Sequence, residues 1–71
     1  SSYYESFYAN IYYSQVFFEE KNKTECQKYL DAADSLLPGN RYIPFIKKMN
    51  DAGFSLLYYS SNRDKVDPKL K

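Results

Sequence analysis

The chain has 71 residues, with ten Lys and Arg against nine Asp and Glu, a single cysteine and no histidine. Such a length leaves room for one domain with a modest core, and this composition excludes an internal disulfide and a histidine-assisted metal site. The lysines are scattered rather than gathered on one stripe, which argues against nucleic acid as a partner.

The first predicted helix spans residues 3–20, a stretch that contains neither glycine nor proline. Several of its residues follow helical spacing, namely Tyr4, Phe7, Tyr8, Ile11 and Phe18, with Gln15 in register. Further apolar side chains widen this stripe beyond a single packing seam, so we expect the helix to contact two neighbours or to keep one face for a partner. The stretch is too short and too polar to span a membrane.

The second predicted helix spans residues 24–37. Thr24 and Gln27 have the spacing of a capping box at its start, and Pro38 and Gly39 end it. A connection of about three residues separates it from the first helix, which predicts an antiparallel hairpin.

The third predicted helix spans residues 43–60 and carries Pro44 in its first turn, where the missing amide hydrogen is not needed. Gly53 lies inside it and is interpreted either as a point of close approach to another helix or as a tolerated residue. These helices define a predicted all-α domain over residues 1–60. The remaining residues 61–71 are polar and without periodicity, and we expect them to be disordered.

Aromatic residues make up 20% of the chain, from nine tyrosines and five phenylalanines. Tyrosine combines an apolar ring with a polar tip and suits half-buried surfaces and interfaces. The rings either fill out a small core or form an interaction surface, and their number favours the surface.

The hairpin resembles a tetratricopeptide repeat over residues 7–40. In that family a large, a small and an aromatic residue on helix A are followed by small, large and small residues on helix B and a closing proline. Seven residues follow this order, namely Tyr13, Ser14, Phe17, Cys26, Leu30, Ala33 and Pro38. The resemblance implies that the small residues Ser14, Cys26 and Ala33 let the two helices approach closely. It also implies that the large residues Tyr13, Phe17 and Leu30 fill the gap between them. The sequence departs from the family at Asn10, where a tryptophan is usual, and at Ser14, where a glycine is usual. The third helix stands where helix A of a second, irregular repeat would follow.

The resemblance implies a concave, partner-facing side on the first helix. The residues predicted there are Tyr8, Ile11, Tyr12, Gln15 and Phe18, and Tyr58 and Tyr59 of the third helix are hypothesised to extend the same patch. Some family members hold a peptide carboxylate with Lys and Asn on this face, where Ile11 and Gln15 stand here. An apolar or aromatic peptide, or another helix, is therefore the expected ligand.

No catalytic arrangement is recognised. Cys26 has no histidine to activate it and stands at a small-residue position of the hairpin, and the carboxylate pairs lie at a helix end or on a polar face. No phosphate-binding glycine loop or dinucleotide fingerprint occurs, so we expect neither an enzyme nor a cofactor.

The sequence thus predicts a non-catalytic protein-interaction module that presents a tyrosine-rich helical surface to a peptide or helix. Three alternatives stay open: a structural segment of a longer repeat protein or a homo-oligomerising subunit, a peptide-sensing regulatory module, and an amphipathic helix on a membrane surface. The membrane alternative lacks the cationic polar face typical of such helices. No secretory signal is visible and the cysteine is unpaired, which favours the cytoplasm.

Overall fold

The computed structural model describes residues 2–66, which form four α-helices and a short 3-10 helix. The α-helices are α1 (Ser2–Glu19), α2 (Lys23–Leu36), α3 (Tyr42–Asp51) and α4 (Leu56–Ser61), and the 3-10 helix is Arg63–Lys65. The described residues contain no strand. The prediction of an all-α fold with a helical hairpin is confirmed, and the single helix predicted to follow it is replaced by α3 and α4.

The hairpin of α1 and α2 is the main packing unit of the fold. Ser14, Cys26 and Ala33 are buried in it, and their small side chains allow the two helices to lie close together. Leu30, only 2% exposed, fills the space beside them. The residues with which the sequence predicted close approach of the two helices therefore lie in the hairpin core.

Aromatic rings close the outer edge of the hairpin. Phe17 stacks on Tyr29 with the ring centroids 5.6 Å apart, and Tyr13 lies 5.7 Å from the same ring. Tyr13 remains 52% exposed, so it covers this edge and does not fill the interior as the repeat pattern predicted.

The turn after α1 is a Schellman motif built on a non-glycine residue. Lys21 has a φ of 64°, and the amides of Lys21 and Asn22 donate to the carbonyls of Phe18 (3.0 Å) and Phe17 (2.9 Å). This left-handed conformation normally favours glycine, because a Cβ atom crowds the backbone there.

The cap of α2 is Asn22 rather than the predicted Thr24. The Oδ1 atom of Asn22 accepts a hydrogen bond from the amide of Glu25 at 3.2 Å. The predicted capping box is therefore wrong, and Thr24 lies within the first turn of α2.

The predicted third helix is broken at Gly53. This glycine has a φ of 93°, its amide donates to the carbonyl of Asn50, and the amide of Phe54 donates to that of Met49, each at 2.9 Å. A Cβ atom at Gly53 would meet no atom within 4 Å, so of the two interpretations of this glycine the one as a point of close helix approach is wrong. The left-handed backbone of the glycine ends α3. Helix α4 then begins at Leu56, and it is capped by Ser55, whose hydroxyl accepts a hydrogen bond from the amide of Tyr58 at 2.9 Å.

Residues 61–66, which were expected to be disordered, are ordered. Ser61 ends α4, the 3-10 helix follows, and Val66 is buried with 1% exposure. Residues 67–71 lie outside the described part of the chain.

Helix α3 lies beside α1 and runs parallel to it. Near the start of both helices the rings of Phe7 and Tyr42 are 6.4 Å apart, and near their ends Gln15 hydrogen-bonds to Asn50. Gln15 and Asn50 are separated by 35 residues, as are Phe7 and Tyr42. The start of α3 therefore lies beside the start of α1, and the end of α3 lies beside the end of α1.

Candidate functional site

The five residues predicted as partner-facing on α1 divide between core and surface. Tyr8 and Tyr12 are 55% and 56% exposed, Phe18 is half-buried, and Ile11 and Gln15 are buried. The prediction that Ile11 and Gln15 face a partner is wrong: Ile11 is 2% exposed within the core cluster, and the buried Gln15 side chain bonds to Asn50 of α3 and to the Leu56 amide of α4.

Gln15 is the centre of a buried hydrogen-bond network. Its Nε2 donates to Oδ1 of Asn50 at 3.0 Å, while Nδ2 of Asn50 donates back to Oε1 of Gln15 at 2.9 Å. The same Oε1 accepts from the amide of Leu56 at 2.8 Å, and Asn50 also donates to the carbonyl of Phe54. Gln15 therefore joins α1, α3 and the start of α4, and within residues 2–66 no buried side-chain polar atom lacks a partner.

The exposed side of α1 is unusually rich in tyrosine. Five tyrosines of α1 are more than half exposed, namely Tyr3, Tyr4, Tyr8, Tyr12 and Tyr13. Tyr4, Tyr8 and Tyr12 follow one another at four-residue steps and therefore lie along one side of the helix; we call these three residues the tyrosine ridge. An exposed run of aromatic side chains of this kind is typical of an interaction surface.

The ridge continues onto α3 and α4 through Tyr42. The rings of Tyr8 and Tyr42 meet edge to face with centroids 6.2 Å apart. Burial raises the pKa of Tyr42, and the neighbouring hydroxyls of Tyr8 and Tyr59 raise it further. Tyr59 packs against Phe45 and lies beneath the Arg63 guanidinium, 5.8 Å from its ring centroid.

The structure therefore brings Tyr59 close to the tyrosine ridge but directs Tyr58 elsewhere. Tyr58 stacks on Phe54 with centroids 5.6 Å apart and is 37% exposed. Sequence reasoning missed Tyr42, the residue that bridges the helices. Its helical register with Ile46, a buried residue one turn further on, was the signal available for finding it.

A groove of about 850 Å³ lies at the opposite end of α1, between the start of α2 and the end of α3. Its apolar floor contains Phe18, Cys26 and Leu30. Its charged lining residues are Glu19, Lys21, Lys23, Lys47 and Asp51. We call this feature the lysine groove, and it places Phe18, predicted for the tyrosine patch, on a different surface.

The thiol in the groove floor is held in its neutral form. Burial raises the pKa of Cys26, and its Sγ lies 3.9 Å from Oδ1 of Asn50, to which it is placed to donate. Cys26 is 7% exposed and belongs to the core cluster that also contains Leu30 and Ala33.

Comparisons with protein-family models, curated proteins and solved structures gave no match. Among residues 2–66, none of the helices has both the length and the apolar character needed to cross a membrane.

Proposed function

We propose that the chain is a non-catalytic protein-interaction module, built like one tetratricopeptide repeat with additional helices, that presents the tyrosine ridge to a peptide or helix of a protein partner. Tyr42 and Tyr59 extend the contact surface beyond α1. The observation that carries the proposal is the exposure of Tyr4, Tyr8 and Tyr12 along one side of a helix whose other side is buried in the core.

Tyrosine is well suited to such a surface. Its ring supplies a large contact area with few rotatable bonds, and its hydroxyl can exchange a hydrogen bond with water for one with a partner. Tyrosine is also enriched among the residues that contribute most to binding at protein interfaces. A ridge of three rings thus offers a partner several anchoring points without a large entropic cost.

The placement of α3 supports the repeat-like part of the proposal. Helix α3 runs parallel to α1 at a separation of 35 residues, close to the period of about 34 residues in tetratricopeptide repeats. The arrangement departs from a regular array after Gly53, because α4 packs against α1 and α3 and its first amide, that of Leu56, bonds to Gln15. The surface left for a partner is therefore the tyrosine ridge at the edge of the expected concave face.

A homo-oligomerising structural segment is the second candidate function. The same exposed ridge favours it, because a repeat-like unit gains stability by covering its apolar surface with a neighbour. In that case the partner of the ridge is another copy of the chain.

Site-specific photo-cross-linking tests the proposal. A photoreactive phenylalanine analogue replaces Tyr12 in one variant and Ala32, an exposed residue of α2, in a control variant. We expect irradiation in extract of the source cells to give a discrete protein adduct from position 12 and none from position 32. Equal labelling from both positions, or no adduct from position 12, would contradict the proposed function.

A further inference from the structure

We propose that the side-chain amides of Gln15 and Asn50 form a binding site for the backbone of an extended peptide, and that the chain's own residues 54–56 occupy this site in the closed state. We call the two side chains the amide pair. Neither of them belongs to the tyrosine ridge, so the peptide site is a second site, independent of the first.

The amide pair holds main-chain groups at both ends of a three-residue segment. Nδ2 of Asn50 donates to the carbonyl of Phe54 at 2.9 Å, and Oε1 of Gln15 accepts from the amide of Leu56 at 2.8 Å. The two side chains also bond to each other twice, at 3.0 and 2.9 Å, which fixes their orientation. A donor and an acceptor are thus presented together to one stretch of backbone.

The segment held by the amide pair is extended. Ser55, between the two contacts, has a φ of −87° and a ψ of 160°. Main-chain hydrogen bonds supply affinity for extended peptides, and side-chain contacts add specificity. Phe54 and Leu56 are part-buried on either side of the buried Ser55. The ligand class is therefore an extended peptide with apolar residues on either side of a small one.

The segment that occupies the site has few ties to the core. The buried members of the main core cluster all come from α1, α2 and α3. Helix α4 has six residues, none of them buried, and a helix this short depends on tertiary contacts. Ser55 and Val66 are buried before and after it, but neither belongs to that cluster. Such segments open at a lower free energy than the core, so α4 can leave while the hairpin stays folded.

The lysine groove leads to the amide pair. Asn50 and Gly53 are both among its lining residues, so the groove reaches the donor of the pair and the residue before Phe54. A peptide lying in the groove therefore comes within reach of Asn50, and displacement of residues 54–56 opens the way to Gln15. The charged side chains of the lining are of both signs, which suits a ligand recognised by its backbone rather than by its charge.

Proline at Leu56 tests the site, with alanine at the same position as the matched control. Both changes remove the leucine side chain, but only proline also removes the amide hydrogen that bonds to Gln15. Proline fits the backbone here, since Leu56 is the first residue of α4 and Ser55 before it is extended. Leu56→Pro should therefore free the Gln15 acceptor without preventing α4 from forming.

The probe is a blocked peptide with the sequence of residues 54–59, acetyl-Phe-Ser-Leu-Leu-Tyr-Tyr-amide. It is titrated into the full chain, and binding is followed by NMR at the two side-chain amides of the pair. We expect Leu56→Pro to bind this peptide roughly tenfold more tightly than Leu56→Ala, in which the chain's own amide still competes for Gln15. A second peptide, with proline in place of the first leucine, should bind Leu56→Pro roughly tenfold more weakly than the first peptide.

Absence of peptide binding to a folded Leu56→Pro chain, equal binding by the two variants, or equal binding of the two peptides would each overturn the peptide site. Far-UV circular dichroism establishes that each variant is folded. If Leu56→Pro unfolds, amide hydrogen exchange of the wild type decides instead. The Leu56 amide is expected to be protected roughly tenfold less than the amides of Ile11 and Leu30. Equal protection would show that the segment opens only with the whole fold, and the peptide site would be abandoned.

Tyr12 lies outside the amide pair, so cross-linking from position 12 does not depend on any of these results. The proposed interaction function of the tyrosine ridge and the peptide site therefore stand or fail separately.

Discussion

Gln15 is a fully buried polar side chain whose amide group bonds to two other helices. Its place on the apolar stripe of α1 could be read from the helical spacing of the sequence. The burial of Gln15 could not be read from the sequence, because the amide group that hydrogen-bonds to it belongs to Asn50, 35 residues away. Sequence spacing thus identified the correct side of the helix but not whether that side faced a partner or the core.

Gln15→Ala should lower the free energy of unfolding by about 2–4 kcal/mol, because it removes the hydrogen bonds that the buried Gln15 side chain makes with the part-buried Asn50 amide and Leu56 backbone amide. Urea unfolding followed by circular dichroism measures this change. Gln27→Ala is the control, since Gln27 is exposed and hydrogen-bonds only to Asp31 on the same helix; a change within about 0.5 kcal/mol is expected. Equal losses in the two variants would contradict the assigned role of Gln15.

The raised pKa of Tyr42 predicts how the free energy of unfolding changes in alkaline solution. Burial and the hydroxyls of Tyr8 and Tyr59 raise its pKa above the ordinary tyrosine value of 10.0, so the unfolded chain loses the proton first as pH rises. The stabilisation is therefore fully present below about pH 10 and is lost as pH rises through the folded-state pKa. Tyr42→Phe should reduce this loss in thermal melts above pH 10, and an unchanged alkaline profile would contradict the assignment.

At the scale of elements, the ends of the helices were harder to predict than their existence. Apolar spacing located α1 and α2 to within a residue or two, whereas the third predicted helix proved to be α3 and α4. The apolar pattern continues across Gly53, so periodicity alone did not reveal the break. The break depends on the left-handed backbone of Gly53 and on two hydrogen bonds that only that conformation allows.

Lys21→Gly should stabilise the fold by about 1 kcal/mol, because glycine adopts the left-handed conformation at the end of α1 without the steric cost that lysine bears. Thermal unfolding monitored by far-UV circular dichroism measures the change as a higher melting temperature. Lys48→Gly, inside α3, is the matched comparison and should be destabilising by about 1 kcal/mol. Destabilisation by Lys21→Gly would contradict the described turn.

Gly53→Ala should lower the free energy of unfolding, whereas Lys21→Gly should raise it. There is space for the added methyl group, so the expected loss of about 1–2 kcal/mol comes from backbone conformation alone. Urea unfolding checks the magnitude. A neutral or stabilising result would mean that this turn does not require a left-handed residue.

At the scale of the whole molecule, composition and spacing predicted the all-α class and the hairpin, because both depend on local patterns. The position of α4 over α1 was not predictable, since it depends on the direction in which the chain leaves Gly53 and on the capture of the Leu56 amide by Gln15. The candidate site was predicted in part. Tyr8 and Tyr12 lie on the exposed side and Tyr59 near them, whereas Ile11 and Gln15 became core and Phe18 joined the groove.

The use of the tyrosine ridge as a protein-interaction surface is the central proposal, and photo-cross-linking from two matched positions of α1 tests it most directly. Tyr12 of the ridge and Tyr3 outside it are 56% and 64% exposed, so a photoreactive phenylalanine analogue is similarly accessible at either position. We predict that both variants keep the wild-type circular dichroism, and that irradiation in cell extract gives a discrete protein adduct from position 12 and none from position 3. Equal labelling from the two positions, or loss of helicity in the variant at position 12, would contradict the proposal.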